Sequence, residues 1–288
     1  MKIKILIIFI ASFSLTFTAC KDEPTGNNSP PSENNFKYPY EINSFWYYGT
    51  RNFTTNYRPD SLEVYFPRDT LIGIGGALFL KDTIINEDTL RLLRNSHSEI
   101  GHGHATLELY KQTDTGLIRV AFYSNGVNFG PFRLNPNSIT LSFKGKSFNS
   151  LYEIVNYYKY ELRDNLAGDT ALIFDNPPIV ALKYPIVQND EWVFKIVGTT
   201  KMTKKYTTFE TVNSMGVSYY CIKIQKQWYL DGSSNPDSHL IFYDYFSKEG
   251  MIKRDFTIKD IAINNSLGQL IGFIDAKDEA FLNFYTHP

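Results

Sequence analysis

The chain has 288 residues, with 29 Lys plus Arg against 30 Asp plus Glu and a formal net charge of −1. A balance this even supplies no long-range field for a phosphate backbone, which excludes nucleic acid as a working partner class. Hydrophobic residues make up 43% and charged residues 20%, enough to bury a real core. The 20 Tyr and 22 Phe lean the chain toward sheet, because aromatic side chains pack best on a pleated surface.

Lys2 and Lys4 precede an apolar run from Ile5 to Phe17 and the small pair Thr18-Ala19, the three-part form of an export signal, so removal of residues 1–19 is expected. The Ala19-Cys20 junction resembles the lipobox of bacterial lipoproteins, although Phe17 stands where that motif usually carries Leu. The resemblance implies that Cys20 receives a diacylglyceryl group and an N-acyl chain. At ~0.8 kcal/mol per buried CH₂, several chains together make an anchor that does not leave. No later segment reaches the ~18 to 20 continuous apolar residues of a spanning helix, so these acyl chains are the expected membrane attachment. Lys21-Asp22-Glu23 resembles the surface-export signal of certain Gram-negative lipoproteins. That implies an outer-membrane protein exposed at the cell surface, with the periplasmic face as the alternative. Residues 20–36 hold Pro24, Gly26, Pro30 and Pro31 among Asn, Ser and Glu, a composition that reads as a disordered tether.

A first β unit is expected over residues 37–174. Tyr38-Pro39, Asn43, Trp46 and Tyr48 open it: proline holds the preceding residue extended, asparagine suits a turn, and Trp46 and Tyr48 share one face of a strand as core residues. Ser61 to Phe66 and Leu71 to Leu80 read as strands. A hairpin is expected around Asn86-Glu87-Asp88, another around Asp114-Thr115-Gly116, and a further turn at Asn125-Gly126. Leu151, Ile154, Val155 and Tyr158 have helical spacing, with Ser147 or Asn149 as cap. The same stretch reads as a strand through Ile154, Tyr158, Tyr160 and Leu162, so helix and strand both stay open over 150–162.

A second, related β unit is expected over residues 175–288, because Tyr184-Pro185, Asn189, Trp192 and Phe194 repeat the opening pattern at identical spacing. Strands follow at Trp192 to Val197, Lys205 to Thr211, Val217 to Trp228, His239 to Phe246, Met251 to Ile258 and near Leu270 to Ile274, separated by turn residues. The fold class is therefore mainly β: two antiparallel units forming a curved sheet, meander or barrel, with room for one short helix. The paired Pro and Trp-x-Tyr/Phe openings, with Tyr219 to Lys223 and Tyr245 to Arg254, resemble Gram-negative cell-envelope lipoproteins built from such units. That resemblance implies a fold and an address, but no reaction.

Candidate chemistry is sparse. His97, His102 and His104, with Glu99, fall within eight residues, and imidazole with carboxylate suits zinc. The spacing is HxExxH rather than the helical HExxH, and Gly101 and Gly103 suggest a polar hairpin loop, so no cofactor is expected and zinc is held as the minor reading. Gly145-Lys146-Ser147 lacks the earlier glycine of a phosphate loop, Gly73-Ile74-Gly75-Gly76 lacks dinucleotide spacing, and Cys221 reads as a buried inert thiol. Asp231, Asp237 and Asp244 could serve a two-carboxylate glycosidase, but nothing singles out a pair among 30 acids. With no catalytic motif, the expected role is a lipid-anchored binding or structural module for an envelope protein or glycan. Exposed members of Tyr47, Tyr57, Tyr157, Tyr160 and Tyr229 would provide its contact area. An envelope hydrolase and a carrier of an apolar ligand are the alternatives.

Overall fold

The computed structural model describes residues 36–64, 71–99, 102–123, 139–159 and 171–288, with the backbone alone for 71, 97–99 and 102–104. Among the described residues fourteen strands run β1 (Phe45–Arg58), β2 (Leu71–Ile85), β3 (Asp88–Glu99), β4 (His102–Gln112), β5 (Gly116–Tyr123), β6 (Ile139–Phe143), β7 (Lys146–Phe148), β8 (Leu172–Lys183), β9 (Glu191–Val197), β10 (Thr200–Ser214), β11 (Val217–Tyr229), β12 (Leu240–Ser247), β13 (Gly250–Asn265) and β14 (Leu270–Thr286). Among the same residues one α-helix, α1 (Leu151–Lys159), interrupts them. The strands form one antiparallel, nearly closed barrel-like sheet in the order β8-β5-β4-β3-β2-β1-β14-β13-β12-β11-β10-β9, with β6 and β7 branching from β13. Both halves of the chain enter the same sheet, joined where β1 pairs with β14.

Turn chemistry sets the register. Asn86 and Glu87 both take positive φ, the two-residue turn whose twist matches the flanking strands, and Ile85 faces Asp88 directly across it. Met215-Gly216 and Lys144-Gly145 do the same for β10–β11 and β6–β7, so Gly145-Lys146-Ser147 is a hairpin and not an anion cradle. Of the strand expected over Ser61 to Phe66, the described residues 61–64 lie instead in a 3-10 turn, Asp60–Val64, in which the Leu62 amide returns to the Pro59 carbonyl at 3.1 Å. Residues 151–159 resolve as helix, capped by neither Ser147 nor Asn149 but by Ser150, whose hydroxyl accepts from the Glu153 amide at 3.2 Å. The Glu153 carboxylate in turn accepts from the Asn149 amide at 2.7 Å, so one otherwise orphaned donor of the first turn and the N–H just before the cap are both satisfied. Asn125-Gly126 and Tyr160 lie outside the described residues.

Strand alternation and helix burial produce two main apolar clusters. One gathers Trp228, Phe242, Phe256, Ile258 and Leu141 around the buried helix residues Ile154, Val155 and Tyr158. The other gathers Phe36, Tyr38, Trp46, Tyr48, Phe79, Tyr184, Trp192, Tyr206 and Ile222. The two proline-led openings place Tyr38, Trp46, Tyr48, Tyr184 and Trp192 in this second cluster, with Phe194 in the first, and share a local geometry. Asn43 and Asn189 take φ of 71° and 69°, and their amides donate at 2.8 Å to Phe79 O and Tyr206 O respectively. Phe79 N returns to Ser44 O, and Tyr206 N to Asp190 O. The Tyr38 amide donates to the Tyr184 hydroxyl at 2.9 Å, so the two openings touch.

Trp46 is fully buried, its indole N–H donating to Glu249 O at 2.5 Å, and its face lies against Gly250, where an added Cβ would stand 2.4 Å from Nε1. Trp192 is 9% exposed, and Tyr48 and Phe194 are buried beside them. Trp46→Ala and Trp192→Ala should each destabilise the fold by ~3 to 5 kcal/mol, the usual cost of removing a buried large aromatic. Urea midpoints of purified variants measure it; a loss under ~1 kcal/mol would show that the site collapses around the gap.

Candidate functional site

Between the two apolar clusters the inward strand faces turn polar, and there the barrel encloses a cavity of about 250 Å³. Its wall is built by parity. Ile222, Ile224, Lys226 and Trp228 fall on one face of β11, Met202, Lys204 and Tyr206 on one face of β10, and Ile252, Arg254 and Phe256 on one face of β13. β14 adds Asp278 between Ala276 and Ala280, β12 adds Asp244 beyond Phe242, and β5 adds Arg119 beyond Leu117. Each of these strands contributes one charged residue to a belt halfway along the barrel.

Every charged residue of the belt has a partner. The Arg119 guanidinium binds Asp175 through Nε and Nη2 at 2.7 and 3.2 Å and reaches Glu108 through Nη1 at 3.1 Å, the Arg119 and Asp175 side chains being only 4% exposed. Arg254 grips Asp244 at 2.6 and 3.3 Å, and Lys159, at the end of α1, reaches Asp278 at 2.7 Å. Lys204 donates to the Ala181 carbonyl at 2.9 Å and Lys226 to the Lys159 carbonyl at 3.3 Å. Both ammonium groups also lie over the Phe194 ring, at 4.3 and 5.1 Å from its centre, a cation–π geometry that helps a buried charge persist.

Tyr38, Tyr48 and Phe246 line the cavity from the second cluster, Ile179, Phe194 and Phe242 from the first. Burial pushes the Tyr38 and Tyr48 hydroxyls well above the ordinary phenol range, so both stay neutral. The chamber is therefore amphipathic, with aromatic faces at its ends and cationic donors and carboxylates around its waist. Among the described lining residues there is no His or Cys, and both lining carboxylates, Glu108 and Asp244, accept from arginines.

The residues singled out from sequence are distributed as follows. Cys20, Lys21, Asp22 and Glu23 lie outside the described residues. Trp46, Tyr48, Trp192 and Phe194 are buried; Tyr48 and Phe194 also face the cavity. Asp244 is in the belt, whereas Asp237 pairs with Lys144 at 2.6 Å and His239 at 3.1 Å, and Asp231 is exposed, so the three carboxylates form no common site. Tyr57 is buried rather than exposed, its hydroxyl meeting Thr54. Tyr47, Tyr157 and Tyr229 are half-buried, with Lys146 over Tyr157 and Lys201 over Tyr229, and they make no shared patch. Cys221 is fully buried, and burial pushes its thiol far above the ordinary range. His97, His102 and His104 are not in a free loop: β3 and β4 carry them in ladder, His97 facing His104 and Glu99 facing His102. Among residues whose side chains are described, no group of three or more His, Cys, Asp or Glu is gathered to hold a metal.

No protein-family model matches the chain, and no curated protein matches it. Two solved structures are similar in backbone. A predicted exported protein with a YmcC-like fold from Bacteroides fragilis has a TM-score of 0.35 and 9% identity over 88% of this chain and 99% of its own. A predicted lipoprotein from Parabacteroides distasonis has a TM-score of 0.33 and 9% identity over the same shares. At these scores the likeness carries nothing further to this chain.

Replacing Arg119 by Ala should destabilise the barrel by ~3 to 5 kcal/mol, because Asp175 and Glu108 would be left as buried carboxylates without their shared cation. Equilibrium urea unfolding reports the change directly, and an unaltered midpoint would mean that the pair adds nothing.

Proposed function

We propose that this chain is a lipid-anchored outer-membrane protein, exposed at the cell surface, that works as a binding module with its ligand site inside the barrel. The addressing part rests on Lys2 to Ala19, Cys20 and Lys21-Asp22-Glu23. Among the described residues no helix is long and apolar enough to cross a membrane. The binding part rests on one observation, the cavity of about 250 Å³ with charged side chains around its waist and aromatic rings at its ends.

Such a wall suits a small ligand bearing an anionic group beside an apolar body. Lys204, Lys226 and Arg254 offer donors, and Phe194, Phe242 and Phe246 offer contact area. A wholly apolar cargo would press hydrocarbon against charges it cannot solvate, which costs free energy unless every charge keeps its partner. That argues against the carrier of a purely apolar ligand. A hydrolase would need a free general base or an activated water within the same cavity, and the two described carboxylates of its wall are bound to arginines.

Two measurements check this reading. Labelled palmitate should enter the wild-type chain and fail to enter Cys20→Ala, while protease added to intact cells should remove the protein; survival until the outer membrane is broken would place it on the periplasmic face. For the ligand, the chain purified from envelopes should bind carboxylate- or phosphate-bearing amphiphiles saturably. Lys226→Met should weaken that binding by roughly tenfold or more, with near-UV circular dichroism checking that the variant keeps the native packing. Turnover of an ester substrate would favour the hydrolase, and binding unchanged by the substitution would remove the cavity from consideration.

A further inference from the structure

Two of the interior cations face each other directly. In the ladder between β10 and β11, Lys204 stands opposite Lys226, and positions directly opposite in an antiparallel pair share a face, with Cβ atoms ~4.5 to 5.5 Å apart. Both side chains are buried and both line the cavity. Like charges so placed repel, and they repel more strongly away from water. The pair is nevertheless set between two rows of core residues, with Met202 opposite Trp228 on one side and Tyr206 opposite Ile224 on the other.

Carbonyls fix where the two ammonium groups sit. Lys204 Nζ is 2.9 Å from Ala181 O on β8, and Lys226 Nζ is 3.3 Å from Lys159 O at the end of α1. Both groups also meet the Phe194 ring, so two strands and a helix bring them to one place. The other cations of the belt, Arg119, Arg254 and Lys159, each bind a carboxylate.

We infer that Lys204 and Lys226 clamp the carboxylate of a short monocarboxylic acid whose apolar body lies along Phe242 and Phe246. This rests on the cavity being a ligand site and names the class of ligand it takes. A carboxylate offers one oxygen to each ammonium, which turns a repulsion between neighbours into two charge-assisted hydrogen bonds. Phe242 faces Lys226 from β12, and Phe246 lines the same chamber, so hydrocarbon attached to that carboxylate meets aromatic surface at once. A doubly charged phosphate head is disfavoured, because Asp244 and Glu108 line the chamber too and repel the second charge. Length is limited as well. At ~30 Å³ per water, a cavity of about 250 Å³ holds roughly eight waters, and it falls below the ~300 to 1,000 Å³ of sites for drug-sized ligands. Octanoate or phenylacetate fills such a space, whereas hexadecanoate outgrows it.

The test is calorimetric titration of the full chain, purified in a neutral detergent, with octanoate, phenylacetate, octyl phosphate, octanol and hexadecanoate. Octanoate and phenylacetate should bind saturably, one per chain. The other compounds should bind more weakly by roughly tenfold or more, because each forfeits the clamp or the fit. Carboxyl-labelled octanoate should give a separate carbon-13 resonance when bound, which distinguishes clamped acid from acid dissolved in micelles. Lys204→Met and Lys226→Met should each weaken octanoate binding by roughly tenfold or more, near-UV circular dichroism showing which variants keep the native packing. Lys201→Met, on the opposite face of β10, should bind as the wild type does. Octanol, hexadecanoate or octyl phosphate binding as tightly as octanoate would overturn the inference while leaving the cavity a ligand site. Natively packed Lys204→Met and Lys226→Met variants that both bind octanoate undiminished, or a wild-type chain that binds none of the compounds, would overturn it together with the reading of the cavity on which it rests.

Discussion

A barrel that carries charge on its inside must match that charge, and this requirement governs the molecule. Two carboxylates on Arg119, Asp244 on Arg254 and Asp278 on Lys159 tie β4, β5, β8, β12, β13, β14 and α1 into one layer between the apolar clusters. Buried pairs add little net stability over apolar packing, but breaking one is costly, so they act as registration marks. A slip of one residue in β11 would turn Ile222, Ile224 and Trp228 outward along with Lys226. Core and belt therefore enforce the same alignment.

The belt also explains how much of this was legible beforehand. The β class, six strands from β9 to β14, and the positions of Trp46 and Trp192 follow from alternation and turn chemistry, which are local. The parity of Lys226 with Ile222, Ile224 and Trp228 is equally visible in the sequence, as is that of Arg254 with Ile252 and Phe256. A strand lysine or arginine is ordinarily read as solvated, and only closure of the barrel shows that several such exceptions face one another. Arg119 and Asp175 illustrate the difficulty, since they meet through the pairing of β5 with β8 across a long gap in sequence. Residues 61–64 differ for the opposite reason, their strand-like alternation being overridden by a turn that closes on Pro59. Gly101 and Gly103 suggest a loop in the sequence, whereas the backbone ladder continues through Gly103, because glycine in a strand costs stability without breaking the pairing.

The interior also shows how one aromatic-rich chain divides its rings between packing and polar support. Phe194, Phe242 and Trp228 belong to an apolar cluster yet lie under the ammonium of Lys226 at 5.1, 5.2 and 5.1 Å. Ring faces carry negative potential, so the same side chains that exclude water also stabilise the cation they surround. The composition noticed at the outset thus has a second use beyond sheet propensity.

Where β8 and β9 meet, the ladder that runs round the rest of the wall gives way to side chains. Trp192 donates to Val180 O at 2.9 Å, Lys204 to Ala181 O at 2.9 Å and Tyr206 to Lys183 O at 2.6 Å, while the Lys183 amide returns to the Tyr206 hydroxyl at 3.1 Å. These bonds occupy edge carbonyls that would otherwise template a foreign strand. They also make the cylinder anisotropic. Parting any other pair of neighbours means breaking a run of backbone bonds together, but this line yields when a few rotamers turn. The wall is therefore least tightly tied along this line, and Lys204 belongs both to the line and to the chamber lining.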